Sequence, residues 1–491
     1  MSYSSQTHAI ISYIEAHIKS EKMNYRDLER KIGFSLVHIR DLFQRNTGYS
    51  LVKYVRTRKI INSAFELVHS EQSIMDIALK YGFANHESYT RAFKKIVGVT
   101  PSEFRSNRTR VGKCELALGV YGLGLLDETS KGAMTMIKEQ YKSNDSTILY
   151  GVPRVGWGVY GGNTPYAICL KACADYLGDD ISYDKILVEL GAAFRLTWNE
   201  EEWDLGNVDI YHTFNDTSEV YELGAKVIGR KFEMLGRDND TTKEQFIEFI
   251  KTHIDEGYPC VALGIVGPPE ACLITGYRDN GSTLLGWNFF QDDPDFAGSI
   301  DKDECGYFIS KDWWENTDTH AVMCIGHSSE DVVTKDDVLK NAVQALIGRK
   351  QYCYCKGIKA YDAWAKMLAD NGDFSDGDNF SVLFHKMLCQ NDAMVSVIDG
   401  RGCAAEYFEK LSQQDLAAAE VKSYKELAKL FSQVKTAVCS MQELIGGWDD
   451  IEAMLANLAN VKIREDICEY IRQAKELDKK ALEIINGLID K

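Results

Sequence analysis

No stretch of this 491-residue chain approaches the roughly eighteen apolar residues that a membrane-crossing helix needs; the best candidate, around Leu116 to Leu126, is short and broken by glycine. The opening residues, MSYSSQTHAIISYIEAH, have no basic start followed by a long apolar core, so no secretory signal is expected. Thirteen cysteines are present, but they lie scattered through apolar contexts. Cys353 and Cys355 are separated by one residue, which is not a zinc-knuckle spacing, and Cys169 and Cys173 share a helix face without an evident partner pair. Buried apolar roles suit these thiols better than metal. Together the absences exclude an integral membrane protein and predict a reduced, soluble, cytoplasmic one with no metal and no cofactor.

At this length a single hydrophobic core does not suffice, and about three domains are expected. The net charge of -17 conceals an asymmetry. Residues 1–113 hold 19 Lys+Arg against 10 Asp+Glu, whereas the remainder holds 37 against 63. A basic head on an acidic body implies that only the head meets a polyanion, because phosphate repels the body.

The head's strongest pattern runs from Ser73 to Arg105, SIMDIALKYGFANHESYTRAFKKIVGVTPSEFR. Ile74, Ile77, Ala78 and Tyr81 recur at helical spacing, and Gly82 follows where a left-handed residue ends a helix and turns the chain. Asn85 is placed to cap a second helix, in which Tyr89, Phe93 and Ile96 form the buried stripe. His86, Glu87, Thr90, Arg91, Lys94 and Lys95 are left on the outward face. Two angled helices, the second with a polar and mostly basic face, are what major-groove reading requires.

The same architecture occurs upstream. Residues 24–47, NYRDLERKIGFSLVHIRDLFQRNT, place Leu28 and Ile32 on one helix, Gly33 at the turn, Ser35 as a cap, and Ile39, Leu42 and Phe43 on the next. Gly33-Phe34 corresponds to Gly82-Phe83, and Phe43 with Gly48 to Phe93 with Gly98. Leu51 to Val68 reads as one linking helix with Lys53, Arg56, Arg58 and Lys59 near its start. Two such units address successive major grooves about 34 Å apart. With its GF turn, AFKK run and G-x-T-P-x-x-x-R ending, the segment, about residues 7–107, resembles the DNA-binding domain of AraC-type transcription regulators. The resemblance implies base-reading side chains at Val37, Arg40 and Asp41 in the first unit, and at His86, Glu87 and Arg91 in the second. Arg40 and Arg91 suit guanine, whose O6 and N7 accept together from a guanidinium. Asp41 departs from the family's basic or polar residue; it either accepts from a cytosine amine or pairs with Arg45. Glu87 either reads a base or simply favours the helix dipole. Lys94, Lys95 and the basic residues of the linking helix are expected on phosphates, giving affinity rather than sequence choice.

After a linker at 114–150, residues 151–330 change character. The glycine- and aromatic-rich GVPRVGWGVYGG leads into a helical pattern from Thr164 to Leu177, and a helix is expected at Lys243 to Glu256. Strand-like runs follow at Cys260–Val266, Ala271–Tyr277 and Thr283–Asn288, with Asp279-Asn280-Gly281 as a hairpin turn. This α+β order, carried by NTPYAICLKACADYLG and EACLITGYRDNGSTLLGWN, resembles the papain-like fold of bacterial double-glycine-leader cysteine peptidases. It is more similar still to the N-terminal domain of butirosin-biosynthesis acyltransferase proteins. The resemblance implies a cysteine at the helix N-terminus, a histidine opening the second strand and an Asp or Asn in the third. Here those positions hold Thr164 or Pro165, Glu270 and Asn288, so two of the three groups are missing. Cys169 lies more than a turn inside the helix, beyond most of the dipole's help. The expectation is a cleft without catalytic residues kept as a binding pocket. Trp157, Tyr160, Trp198, Trp203, Trp287 and Phe290 are the expected walls, with Glu200, Glu201, Glu202, Glu270, Asn288, Asp292 and Asp293 nearby. Aromatic faces with carboxylates suit a cationic or amphipathic small molecule.

Residues 331–491 read as a helical bundle: short helices at Val338–Leu346, Tyr361–Leu368, Phe380–Leu388 and Cys403–Leu411, a long one at Leu416–Leu444, then Ile451–Leu458 and Ile463–Ile489. The apolar stripe of the last also suits pairing with a second subunit, although two tandem units already let a monomer read two grooves. The whole predicts a multidomain regulator: an all-α tandem helix-turn-helix head on double-stranded promoter DNA, an α+β papain-like sensor for a small-molecule effector, and an α-helical bundle. Its effector would alter promoter occupancy or contact with RNA polymerase. The competing expectation is a cysteine-dependent acyl or amide hydrolase or transferase, using Cys169 or another cysteine, fused to a DNA-binding head.

Overall fold

The computed structural model describes residues 10, 13–14, 17, 25–32, 34–47, 50–69, 72–83, 85–97, 100–106, 139–292, 300–303, 305–374, 380–447 and 450–489. Gly33, Gly48, Gly98, Asp293, most of the expected linker and the side chains of Asp41, Arg45 and Ile96 lie outside the description.

The head consists of α1 (Tyr25–Ile32), α2 (Leu36–Thr47), α3 (Leu51–His69), α4 (Ile74–Lys80), α5 (His86–Val97) and α6 (Pro101–Ser106). Each helix-turn-helix has its own small core. Leu28, Ile39, Leu42 and Phe43 pack with Leu51, Tyr54 and Val55 at the start of α3. Ile77, Ala78, Tyr81, Tyr89 and Phe93 pack with Ile60, Leu67 and Phe104. Thus α3 gives its first half to one core and its second half to the other. Local chemistry sets the ends: the Ser73 hydroxyl accepts from the Asp76 N–H at 3.1 Å, and Gly82 has φ 78°. Thr100 and Glu103 form a reciprocal cap on α6, with Pro101 in its first turn. The Arg105 guanidinium then donates to the carbonyls of Leu67 (2.9 Å) and Gln72 (2.8 Å), tying α6 back to the end of α3.

Beyond the head come β1 (Glu139–Lys142), β2 (Thr147–Tyr150), α7 (Pro165–Leu177), α8 (Tyr183–Glu189), β3 (Thr197–Asn199), α9 (Glu219–Val227), β4 (Arg230–Gly236) and α10 (Lys243–Asp255). Next are β5 (Cys260–Leu263), β6 (Ala271–Arg278), β7 (Thr283–Trp287), β8 (Asp301–Lys302), β9 (Phe308–Ser310) and β10 (Ala321–Ser328). The chain ends with α11 (Lys335–Leu346), β11 (Arg349–Gln351), β12 (Tyr354–Lys356), α12 (Ile358–Ala369), α13 (Phe380–Ser412), α14 (Ala418–Ile445), α15 (Ile451–Ala459) and α16 (Val461–Ile489). The protein thus has a helical N-terminal region, a sheet-containing middle and a helical C-terminal part. Among the described residues no helix is long and apolar enough to cross a membrane.

The chain forms two compact units, Met1–Gly151 with Thr275–Gly286 and Gly298–Lys311, and Val152–Ile274 with Trp287–Ala297 and Asp312–Lys491. In the smaller unit β1 pairs with β2, β2 with the second half of β6, and β7 with β9 and then β8. The turn between β6 and β7 uses positive φ at Asp279, Asn280 and Gly281, as the Asp-Asn-Gly sequence predicts. In the larger unit β4, β10, β5 and the first half of β6 run antiparallel in that order. A second sheet, β11-β12-β3, joins residues on either side of that region.

Two helices expected at Phe380–Leu388 and Cys403–Leu411 are one 33-residue helix, α13. The intervening Gln390 to Gly402 carries polar residues and glycines that read as a break, but several of them have buried partners or close neighbours. Gln390 accepts from Trp364 Nε1 at 2.5 Å, and a Cβ on Gly400 would meet the Ala193 carbonyl at 2.4 Å. Arg401, with no reachable surface, pairs with equally buried Asp478 on α16 at 2.6 Å and donates to the carbonyls of Ala193 and Arg195. The Tyr361 hydroxyl on α12 donates to the same carboxylate at 2.7 Å. The apolar stripe of α16 is taken up inside the chain, by contacts with α11, α12 and α14. Its availability to a second subunit is reduced accordingly. Removing one partner strands a buried charge, so Asp478→Asn should lower unfolding free energy by about 3–5 kcal/mol in a urea titration, far more than loss of the exposed Lys479–Glu476 pair.

Candidate nucleic-acid interface and effector site

The second recognition helix is built as its sequence requires. Asn85 Oδ1 accepts from the Ser88 N–H at 2.8 Å and so starts α5. Tyr89, Ala92 and Phe93 face the core, where the Tyr89 hydroxyl donates to Ser63 at 2.9 Å and Phe93 meets Phe104 edge-on. The opposite face exposes His86, Glu87, Arg91, Lys94 and Lys95, with Thr90 half-buried. Arg91 pairs with Glu87 at 2.5 Å, both largely in solvent, and Thr90 lies 3.4 Å from His86 Nδ1. An exposed i,i+4 pair contributes only about 0.3–0.5 kcal/mol, so the Arg91 guanidinium is held only weakly.

In the first unit Val37 is 77% exposed and Arg40 is exposed, its guanidinium 6.0 Å from the Tyr25 ring. The side chain of Asp41 lies outside the described residues. The linking helix differs from the expectation. Lys53 and Arg56 are exposed, but Arg58 and Lys59 are buried, and burial lowers the Lys59 pKa. An amphipathic helix serving two cores turns part of its basic run inward, so only the first two cations are displayed for phosphate.

The residues expected to line one pocket in the body fall into separate places. Trp157, 51% exposed, meets Phe289 (4.9 Å) and Phe290 (5.9 Å). Trp287 is buried and donates through Nε1 to the Val152 carbonyl at 2.9 Å. Asn288 is also buried, donating to the Val266 carbonyl and accepting from the Phe290 N–H, which makes it a structural brace. Tyr160, at φ 61°, lies against Lys171 of α7. Trp198 belongs to the helical core, stacked on Trp364 at 5.5 Å with Trp203 edge-on beside it, so it is not a cavity wall. Among the acids, Glu200 is paired with Lys350 and Asp292 with Arg154, whereas Glu201 and Glu202 are exposed.

The start of α7 is covered by α13. Asp399 of α13 accepts from the Asn163 N–H (3.0 Å), the Thr164 hydroxyl (3.1 Å) and the Tyr183 hydroxyl (2.6 Å). Cys169 has no reachable surface, and burial pushes its thiol well above the usual range. Burial of this kind disfavours Cys169 itself as a nucleophile. Glu270 is different. Protein encloses its carboxyl, yet part of the residue remains reachable by water. Burial and the neighbouring Asp209 push its pKa up to about 8, with Asp392 adding and Arg195 opposing. Burial likewise raises Asp209 and Asp392 to about 6. These neighbours come from distant segments, and no spacing in the sequence singles them out.

On the head, Lys94→Ala should weaken binding to all duplexes alike and lower the slope of log affinity against log salt by about 1, measured by fluorescence anisotropy between low and physiological salt. An unchanged slope would remove Lys94 from the phosphate contacts.

A family model described as a helix-turn-helix domain matches residues 28–107. Over 101 residues the chain is 36% identical to the probable transcription factor PqrA of Proteus vulgaris, covering 83% of that protein and 20% of this one. It is 33% identical over 98 residues to the multiple antibiotic resistance protein MarA of Salmonella typhimurium, covering 76% and 20%. It is 34% identical over 106 residues to the HTH-type transcriptional regulator YbfP of Bacillus subtilis, of which it spans 36%. All three similarities cover only about a fifth of this chain, the part that carries the two helix-turn-helix units just described. Through that domain the chain belongs to the AraC-type helix-turn-helix transcription regulators.

Proposed function

We propose that the protein is a one-component transcription regulator whose head reads two grooves of a promoter and whose body binds a cationic or amphipathic effector. The observation that carries the DNA half is the face of α5, where His86, Glu87, Arg91, Lys94 and Lys95 stand in solvent above a fully packed core. Val37, Arg40 and Asp41 are the corresponding readers in the first unit, and Thr90 contributes beside His86. The effector changes promoter occupancy or contact with RNA polymerase.

The body is a papain-like scaffold without its nucleophile, a reading supported by Thr164 at the start of α7 and Glu270 at the head of β6. Effector binding centres on Glu270. Asp209 and Asp392 both act on Glu270, and only Arg195 opposes them, so the site gains from an added positive charge. Trp157 with Phe290 offers a separate exposed aromatic surface to an amphipathic ligand.

The Glu270 shift fixes two signs. In the free protein the folded state holds a proton on Glu270 that the unfolded chain releases above pH about 4.3, so stability should fall as pH rises from there to about 8. Glu270→Gln should flatten that fall in thermal melts. A cationic ligand, by contrast, displaces the proton, so its affinity should rise with pH toward 8, by up to about tenfold per unit. Calorimetry with a panel of di- and polyamines at pH 6 and 8 tests this; no binding, or equal affinity at both, would overturn the assignment of Glu270.

A further inference from the structure

The larger unit holds a second group of reactive side chains, which uses none of the residues assigned above. Cys324 in β10 is paired in register with Glu233 of β4 on one side and Cys260 of β5 on the other. Directly opposed residues project to the same face, and their Cα atoms lie about 4.5–5.5 Å apart, within the span of a disulfide. His253 of α10 stands with Cys324 in the wall of one cavity, and the two act on each other electrostatically. His253 Nε2 lies 3.7 Å from Glu233 Oε2, and the Phe249 ring meets the imidazole edge-on at 4.5 Å. Cys324, His253, Glu233, Lys231, Phe249 and Tyr258 all line a cavity of about 550 Å³.

We propose that Cys324 and Cys260 are an oxidisable thiol pair, in which Cys324 attacks a small hydroperoxide, His253 serves the leaving oxygen and Cys260 resolves the product as a disulfide. The Cys260 thiol beside it, reinforced by His253, lowers the Cys324 pKa against the opposing effect of burial and so favours the thiolate. Burial lowers the His253 pKa, but Cys324 together with the charge of Glu233 outweighs it and raises the net value, favouring a proton beside Cys324. Other buried thiols go the opposite way; burial pushes Cys272 up to about 12.

Two features favour oxidation over acyl transfer. Cys324 lies inside a strand paired on both sides, so its backbone N–H belongs to the ladder and offers no oxyanion site. Only 1% of its surface is reachable, which disfavours a bulky acyl donor over a small reagent. The chemistry balances. The Cys324 thiolate forms an S–O bond as the O–O bond breaks, and the departing oxygen takes the His253 proton to leave as water or an alcohol. The Cys260 sulfur then attacks the sulfenic acid, the S–S bond forms, the S–O bond breaks, and hydroxide leaves with the Cys260 proton as water. Two thiols lose two electrons and the hydroperoxide gains them.

The test uses reduced full-length protein treated with equimolar hydrogen peroxide, quenched by an isotope-coded alkylating reagent and mapped by mass spectrometry. In the wild type, Cys324 and Cys260 should lose reactivity together, at least about tenfold faster than Cys272, and appear as one linked peptide. Cys260→Ser should stop at a sulfenic acid on Cys324, trapped by a 1,3-dione, and His253→Gln should slow the first step. Oxidation of Cys324 no faster than Cys272, or a disulfide from Cys324 to any other cysteine, would overturn the proposal; both comparisons are made in the wild type and do not depend on a variant folding.

Discussion

The ion pair between Arg401 and Asp478 is cut off from water on both sides, and much of the larger unit is arranged to keep it satisfied. A guanidinium there requires acceptors in every direction, and it finds them on α16 and on the carbonyls of Ala193 and Arg195. That fixes α13 against the short turn at Ala192–Phe194, closely enough that only glycine fits at position 400. Two residues before Arg401, Asp399 is thereby held over the start of α7. The C-terminal helices thus supply part of the body's buried polar interior. They also supply Asp392 to the surroundings of Glu270.

The head depends on a different constraint. Each helix-turn-helix is too small to bury much apolar surface, and α3 solves this by entering both cores. Aromatic residues carry the packing of the second: Phe83, Tyr89, Phe93 and Phe104 meet edge-on or tilted in sequence. With the inward face so fully used, the charged residues of α5 have nowhere to go but solvent. The same helix that holds the domain together thereby displays the residues suited to a major groove.

The head is legible in the sequence because its information is local. Apolar residues recur at helical spacing, Gly82 supplies the left-handed turn, and Asn85 and Ser73 cap within three residues of their partners. Even there, periodicity did not reveal that Arg58 and Lys59 turn inward on a helix that serves two cores. The body is less legible because its decisive contacts are remote. Asn163 finds Asp399 at a separation of 236 residues, and Trp198 meets Trp364 in a core whose members are spread from Leu196 to Ala474. Composition singled out the tryptophans, but only packing separates Trp157, which is exposed, from Trp198, which is not. Likewise Cys324 and Cys260 become a pair only through strand register, which no single stretch of sequence contains.

The central claim is that the head selects particular DNA sequences through α5. Its most direct measurement is recovery of genomic fragments by the full-length protein at about 150 mM salt, where non-specific phosphate binding is already weakened, with Arg91→Ala alongside. A few enriched sites sharing two half-sites about one helical turn apart, lost in the variant, are expected. Uniform recovery of all fragments, or the same enrichment with Arg91→Ala, would contradict base reading by this helix.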